Sequence, residues 1–379
     1  MRFGAPSGVA RTRRSAPSGG ACASSFVPSR LGGLDARTLG GSLIDVLVGL
    51  AVGLLCIAIV YRVFIAMDGV RRNAALVADT QSNATFALFT LASQIGNAGA
   101  ATAAAARYLD TCPVVTDVAS TLRPIDVLIT DGGAADRPDS IVVRGSLAPA
   151  AGLPAAFADP APAGTPFHVQ SPDAFGVGDR VAAISRTGTC AMTEITTVGA
   201  AVGGVTTIEH GEVALDFPVT SVLLDLGPAR RGFATRFDVA SGALRSTDVS
   251  NGDAPVPLAS NVVNFKAQYG IDADGDGTLD TWASAASADF APATLLAAPR
   301  ATLERIEAIR FGLVVRTERP DTRLARRFDW VLFDCEQEDK TSCPGRLTGT
   351  IAASAAGSYR YRIYETIVPL RNVRWNRGA

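Results

Sequence analysis

The sequence predicts an α+β chain: one long N-terminal α-helix, apolar then amphipathic, packed on a β-rich, mainly antiparallel C-terminal domain. Three observations carry this. An uncharged apolar run from Val46 to Tyr61 resumes after Arg62 and continues to Met67. Beyond it, Ala84, Leu88, Leu91 and Ile95 recur at helical period. From about residue 110 the pattern becomes short β-rich runs separated by Gly, Pro, Asp and Asn. The regular helix–strand alternation of a doubly wound sheet is absent, which favours an antiparallel sheet behind the helix.

The elements follow in chain order. Arg2, Arg11, Arg13, Arg14, Arg30 and Arg37 oppose a single acid, Asp35, so residues 1–40 read as a basic leader that stays in the cytoplasm. Arg13-Arg14 lacks the hydrophobic follow-on of a twin-arginine signal. A hydrocarbon core of about 30 Å needs roughly 20 helical residues. Residues 41–67 therefore read as the transmembrane half of the helix, with Arg62 snorkelling towards the far headgroups. An ordinary signal peptide is the bland alternative, but the run is long for one and no A-x-A-like site closes it. Residues 68–99 read as a periplasmic amphipathic half, stopped by Gly96-Asn97-Ala98-Gly99.

Residues 100–379 read as a β-rich periplasmic domain. Strands are expected at 125–129, 140–144, 180–185, 194–198, 205–209, 219–224, 233–237, 261–269, 307–316 and 359–370. Leu147 to Pro166, dense in Ala, Pro and Gly, reads as an exposed loop or flexible insertion. Tyr359, Tyr361 and Ile363 alternate with Arg360 and Arg362, as in a strand with one buried face. The Arg-rich stretch 316–327 contains Glu318 and Asp321 and reads as a solvated strand and turn.

The 379-residue chain has a net charge of −1, which argues against a nucleic-acid surface. It lacks G-x-S-x-G, H-E-x-x-H and a phosphate-binding loop, so no enzyme is expected. His168 and His210 have no plausible nucleophile nearby in sequence and read as satisfied polar residues. Cys22 lies in the leader and Cys56 in the apolar helix; Cys112, Cys190, Cys335 and Cys343 remain. An even set in an oxidising compartment invites two disulfides, with Cys335–Cys343 closing a short loop and Cys112–Cys190 as the second pair. Unpaired thiols are the alternative. Zinc is not expected, because no C-x-x-C occurs.

One acidic loop stands out. Asp272, Asp274, Asp276 and Asp280 occupy positions 1, 3, 5 and 9, with Thr278 at 7 and Gly277 at 6, as in the first part of a calcium loop. Position 12 is Ala283, so the bidentate ligand is missing. The competing reading is a hairpin turn rich in Asp-Gly.

Gly40-Gly41-Ser42-Leu43-Ile44-Asp45 precedes the apolar run. A carboxylate there is costly in lipid and asks for a partner. The arrangement resembles the N-terminus of a type IV prepilin. Further blocks resemble PilW-type minor pilins: Thr85 to Leu88 leading to Gly96–Gly99, Asp139 to Arg144, and Gly178-Asp179 leading to Cys190. Phe265 to Asp272, Glu307 to Arg319 and Val368 to Asn372 complete the series.

The resemblance implies a pilin-like fold and cleavage by prepilin peptidase between Gly40 and Gly41. It also implies N-methylation of Gly41, and pairing of Asp45 with the new amine of a neighbouring subunit. Cleavage there puts the acid five residues into the mature chain, the family spacing. Two residues depart from the family pattern, Gly41 in place of Phe and Asp45 in place of Glu. The implied role is a minor pilin of the inner membrane that works with other minor pilins and the major pilin to prime or cap a pilus. Two other readings share parts of this pattern: a J-type pseudopilin of type II secretion, and a membrane-anchored calcium-dependent adhesin.

Overall fold

A computed structural model describes residues 43–115, 117, 121–146, 153–170, 175–320, 327–335, 343–352 and 359–375. Helix α1 (Leu43–Gly96) divides between two compact units, Met1–Ala66 and Met67–Ala379. In the first unit, Leu43–Ile65 is exposed along its whole length and is long and apolar enough to cross a membrane. At ~1.5 Å per residue its 23 residues span about 34 Å, close to the bilayer core.

In the second unit the remainder of α1 turns one stripe inward. Thr80, Ala84, Ala87, Leu91 and Ile95 are buried. Leu88, expected on this stripe, lies half-buried at its flank, and Ala87 takes the central place. Small residues at 84 and 87 let neighbouring side chains reach the helix backbone closely. The stripe shares one large core with Phe237, Phe265, Phe311 and Leu313 from the sheets. Short helix α2 (Ala106–Leu109) follows.

The first sheet has the order β1-β2-β9-β10-β11, formed by Val127–Thr130, Ser140–Arg144, Ala234–Ala240, Ala243–Asp248 and Val256–Ser260. The second has the order β13-β12-β14-β17, formed by Thr281–Ala283, Val262–Ile271, Ile306–Arg316 and Tyr361–Pro369. Among the described residues, the strands of both sheets pair antiparallel. Asn261, at φ 64°, turns the chain from β11 into β12 and so from one sheet to the next. Asn tolerates that left-handed geometry better than most residues. Hairpin β15 (Phe328–Leu332) and β16 (Leu347–Ile351) forms a separate two-stranded sheet. Its Trp330 lies over Gly349, and Leu332 lies against Gly312 of β14, where any side chain would collide. Tyr361 stacks on Phe328 at 4.9 Å, so the expected buried face of the last strand packs against this hairpin.

The remaining strands build something the strand pattern alone did not reveal. The order is β3-β8-β5-β6-β7-β4, formed by Ala155–Ala156, Val222–Pro228, Asp179–Ile184, Cys190–Val198, Thr206–His210 and Phe167–Val169. The two ends of this order meet. Phe157 bridges Val169, the Ala158 N–H donates to the His168 carbonyl, and the Gln170 N–H donates to the Ala156 carbonyl. The six strands thus close into a small antiparallel barrel. Phe157, Phe167, Val181, Ile208, Phe217 and Leu223 fill it. The stretch 147–166 is therefore not simply an exposed loop: its described part supplies β3 and the buried Phe157 and Ala161. Non-local pairing to Leu223 and Phe217 orders these residues, and composition does not record it.

The barrel is inserted in a hairpin. β2 and β9 pair directly, and the Gly145 N–H donates to the Phe233 carbonyl across the base of the insertion. Strands β5 and β8 are buried on both faces. Val181, Ala183 and Leu223 face the barrel core, whereas Ala182, Ile184, Val222, Leu224 and Leu226 join the main core. Near-continuous apolar strands are what two-sided burial requires.

Candidate functional site

The feature most open to a functional reading is the start of α1. Asp45 lies in its first turn, exposed, with an apolar helix ahead of it. A negative charge there is favoured by the partial positive charge of the helix N-terminus. Gly40 and Gly41, with the cleavage and methylation expected of them, lie outside the described residues, as does the leader. Further along α1, in the second unit, Phe86 and Phe89 are 54% and 70% exposed. Three residues apart, they share the face opposite the buried stripe.

The blocks of the resemblance meet in space within the second unit. Lys266 Nζ on β12 lies 2.7 Å from Asp139 Oδ1, just before β2, and both side chains are buried. Asp139 also accepts the Gly132 and Ala267 N–H groups, and burial still holds its carboxyl above the ordinary value against these bonds. Arg310 on β14 donates through Nε to Gln268 Oε1 on β12 at 2.8 Å and stacks over Trp282 and Phe333. The C-terminal block closes on the helix end: Asn372 Nδ2 donates to the Ala98 carbonyl at 2.8 Å and to the Asn97 carbonyl at 3.3 Å. Those carbonyls follow α1, where the helix leaves backbone acceptors without intrahelical donors.

Two disulfides join Cys112 to Cys190 and Cys335 to Cys343, with Cα–Cα separations of 5.6 and 5.7 Å. The first ties the start of β6 to the segment after α2. Beside it, the Thr111 hydroxyl donates to the Ser185 carbonyl. Cys56 is a free thiol. His210 lies between the Thr165 and Gly211 carbonyls and stacks on Phe167 at 3.8 Å; His168 faces Asp159.

The acidic turn brings carboxylate oxygens of Asp272, Asp274 and Asp276 within 4.8 Å of one another. Asp272 is buried, and its two oxygens accept the Gly275 and Gly277 N–H groups. Thr278 donates to Asp276, and Asp280 accepts the Ala273 N–H, so both expected ligands close the turn itself. Ala283 lies on β13 opposite Tyr269 and brings no oxygen ligand from its side chain. The donor set is that of half a calcium loop.

Compared with known families, residues 238–372 match the model of the type IV pilus-assembly protein W, PilW. Over that region the chain is PilW-type. The match starts on β9, ends in α5 (Arg371–Trp375) and takes in the whole second sheet. The PilW-type region thus excludes α1 and the barrel strands. No curated protein and no solved structure matches the chain. The same chain carries, ahead of this PilW-similar region, one helix long and apolar enough to cross a membrane.

Sequence reasoning missed two features. One is the pair of outward-facing phenylalanines, which the helical period could have separated from the buried stripe. The other is Asp126, just before β1, a buried acid that accepts the Thr102 hydroxyl and lies within reach of the Arg144 charge. Its sequence context, Ile125-Asp126-Val127, reads as an ordinary strand and carries no signal of burial.

Proposed function

We propose that this protein is a minor pilin that assembles with other pilins to prime or cap a type IV pilus after cleavage by prepilin peptidase. The observation that carries the reading is the PilW match on a chain whose first described helix is apolar and begins with an acid. In this reading the fold is pilin-like: 1–40 is a cleaved leader, 41–67 spans the inner membrane, and 68–99 continues as the periplasmic helix. The domain 100–379 then stands in the periplasm or on the filament. Asp45 pairs in lipid with the amine of Gly41 on a neighbouring subunit, because an isolated carboxylate there is unfavourable. The exposed Phe86 and Phe89 support the same reading, since they offer apolar surface to adjacent helices.

The test is deletion of the gene, with imaging of surface pili while retraction is active or blocked. Pili lost only while retraction is active indicate priming. Asp45→Ala should leave leader cleavage intact and reduce incorporation; normal piliation with full incorporation of that variant would overturn the role of the acid.

A further inference from the structure

The second sheet ends differently on its two sides. Antiparallel strands alternate residues whose N–H and C=O groups point at the neighbour with residues whose groups point away. The Thr317 N–H donates to the Arg360 carbonyl, and the Leu370 N–H donates to the Glu307 carbonyl. Between these points the register of β14 with β17 is unbroken, from Ala308 opposite Pro369 to Arg316 opposite Tyr361. Even-numbered residues of β17 therefore bond to β14, whereas Tyr361, Ile363, Glu365 and Ile367 turn their backbone groups outward. Among the described residues, no hydrogen bond reaches those outward groups.

Other edges are closed. On the far side of the same sheet, the Phe265 carbonyl accepts the Asp139 N–H and the Ala267 N–H donates to the Asp139 carboxylate. Tyr269 to Ile271 pair there with β13. In the first sheet, the Ile129 N–H of β1 donates to the Tyr269 hydroxyl, and β11 carries Pro257. β17 has none of these devices: its nine residues hold no bulge, and its proline is the last of them, Pro369. Ile367 is 59% exposed beside the open backbone.

A long edge of unpaired donors and acceptors is a template for another strand. We propose that the β17 edge docks an extended segment of a partner protein, which adds to the second sheet as an antiparallel strand. Side chains narrow its chemistry. Ile363 and Ile367 lie on the face that carries the β15–β16 hairpin and ask for apolar residues opposite. Arg362 is exposed on the other face and asks for a carboxylate. The Glu365 carboxylate accepts the Phe333 N–H, which holds the hairpin beside the edge.

A second copy is the poorer occupant. Two β17 edges paired antiparallel are related by a two-fold axis normal to the sheet, which reverses any helix layered on it, α1 included. Copies whose α1 helices rise from one membrane cannot meet that way. This choice of occupant rests on the membrane reading of α1 given above.

The probe is fluorophore-labelled acetyl-Val-Thr-Lys-Thr-Val-Glu-Thr-amide, written to run antiparallel from Ile367 to Tyr361. Its valines fall opposite Ile367 and Ile363, and its glutamate falls opposite Arg362. It is titrated into the full-length protein in lipid nanodiscs and followed by anisotropy; saturable binding is expected. N-methylation of its third and fifth residues, whose N–H groups face β17, should weaken binding by about tenfold or more. Methylation of the second and fourth, which face away, should not. Ile363→Pro removes an outward N–H and leaves the bonds to β14, so it should fold by circular dichroism yet lose binding. In hydrogen exchange of the free protein, the Ile363 and Glu365 amides should exchange faster than those of Arg362, Tyr364 and Thr366, and the peptide should slow them. None of these readouts depends on piliation. Slow exchange of the outward amides in the free protein would overturn the proposal, as would no binding or equal effects of the two methylation patterns. Self-association that is lost in Ile363→Pro would overturn the choice of partner in favour of a second copy.

Discussion

Asp225 shares the barrel-facing side of β8 with Leu223, and one of its oxygens accepts the Gly227 N–H. The other is buried without a partner. Desolvation raises the carboxyl to about 6, and the nearby Asp179 adds to the rise. Between about pH 4 and 6 the folded state keeps a proton that the unfolded chain releases, so stability falls as the pH rises through that window. Asp225→Asn escapes this cost and can keep the bond from Gly227. It should exceed the wild type by about 2–3 kcal/mol at neutral pH, with the gap closing below about pH 4. Urea unfolding midpoints at the two pH values check this, and equal midpoints at neutral pH would refute it. Such environments were not legible beforehand. Asp45 announced itself because its neighbours in sequence are apolar, whereas Asp126 and Asp225 become unusual only through neighbours brought in from elsewhere. The acidic turn at 272–280 was legible as a turn, yet the bonds that occupy Thr278 and Asp280 depend on the folded backbone.

Among elements, the ten strands expected from β-rich runs all correspond to strands or parts of them, because each alternates or clusters its apolar residues within a few positions. The missed strands are short or polar. β3 has two alanines, β10 is half-buried apart from Leu244, and the β15–β16 pair owes its order to Trp330 over Gly349. Barrel closure rests on contacts such as Phe157 with Val169, and insertion rests on β2 meeting β9, relations that local period does not encode. The Cys112–Cys190 bond clamps this insertion to the α2 segment over a separation of 78 residues. By loop-closure arguments its removal costs about 4–5 kcal/mol, mainly through the unfolded chain. The double variant Cys112→Ala/Cys190→Ala should lower the melting temperature and become sensitive to proteolysis first within 145–233. Cleavage appearing first in β12 or β14 would show that the clamp serves the sheets rather than the barrel.

At the scale of the whole second unit, the two-sided burial of β5 and β8 makes the barrel part of the main core rather than a tethered bead. Sheets and barrel should therefore unfold together. Hydrogen exchange of the full-length protein in nanodiscs should give matching opening free energies for Val181–Ile184 and for β12 and β14; a barrel that opens well before the sheets would contradict this. The PilW-type region, the candidate membrane helix and the antiparallel sheets were all legible in the sequence, since each rests on composition, period or ordered blocks. The same disulfide has a mechanical consequence. If the chain is pulled between α1 and its C-terminal end, load crosses the sulfur bridge, and residues 113–189 drop out of the force path. Roughly 260 Å of contour, at ~3.4 Å per residue, then cannot be paid out under tension. Strands β1 to β5 lie in that sheltered stretch, so the protein can bear load through its later strands while the first half of its sheets and barrel stays slack.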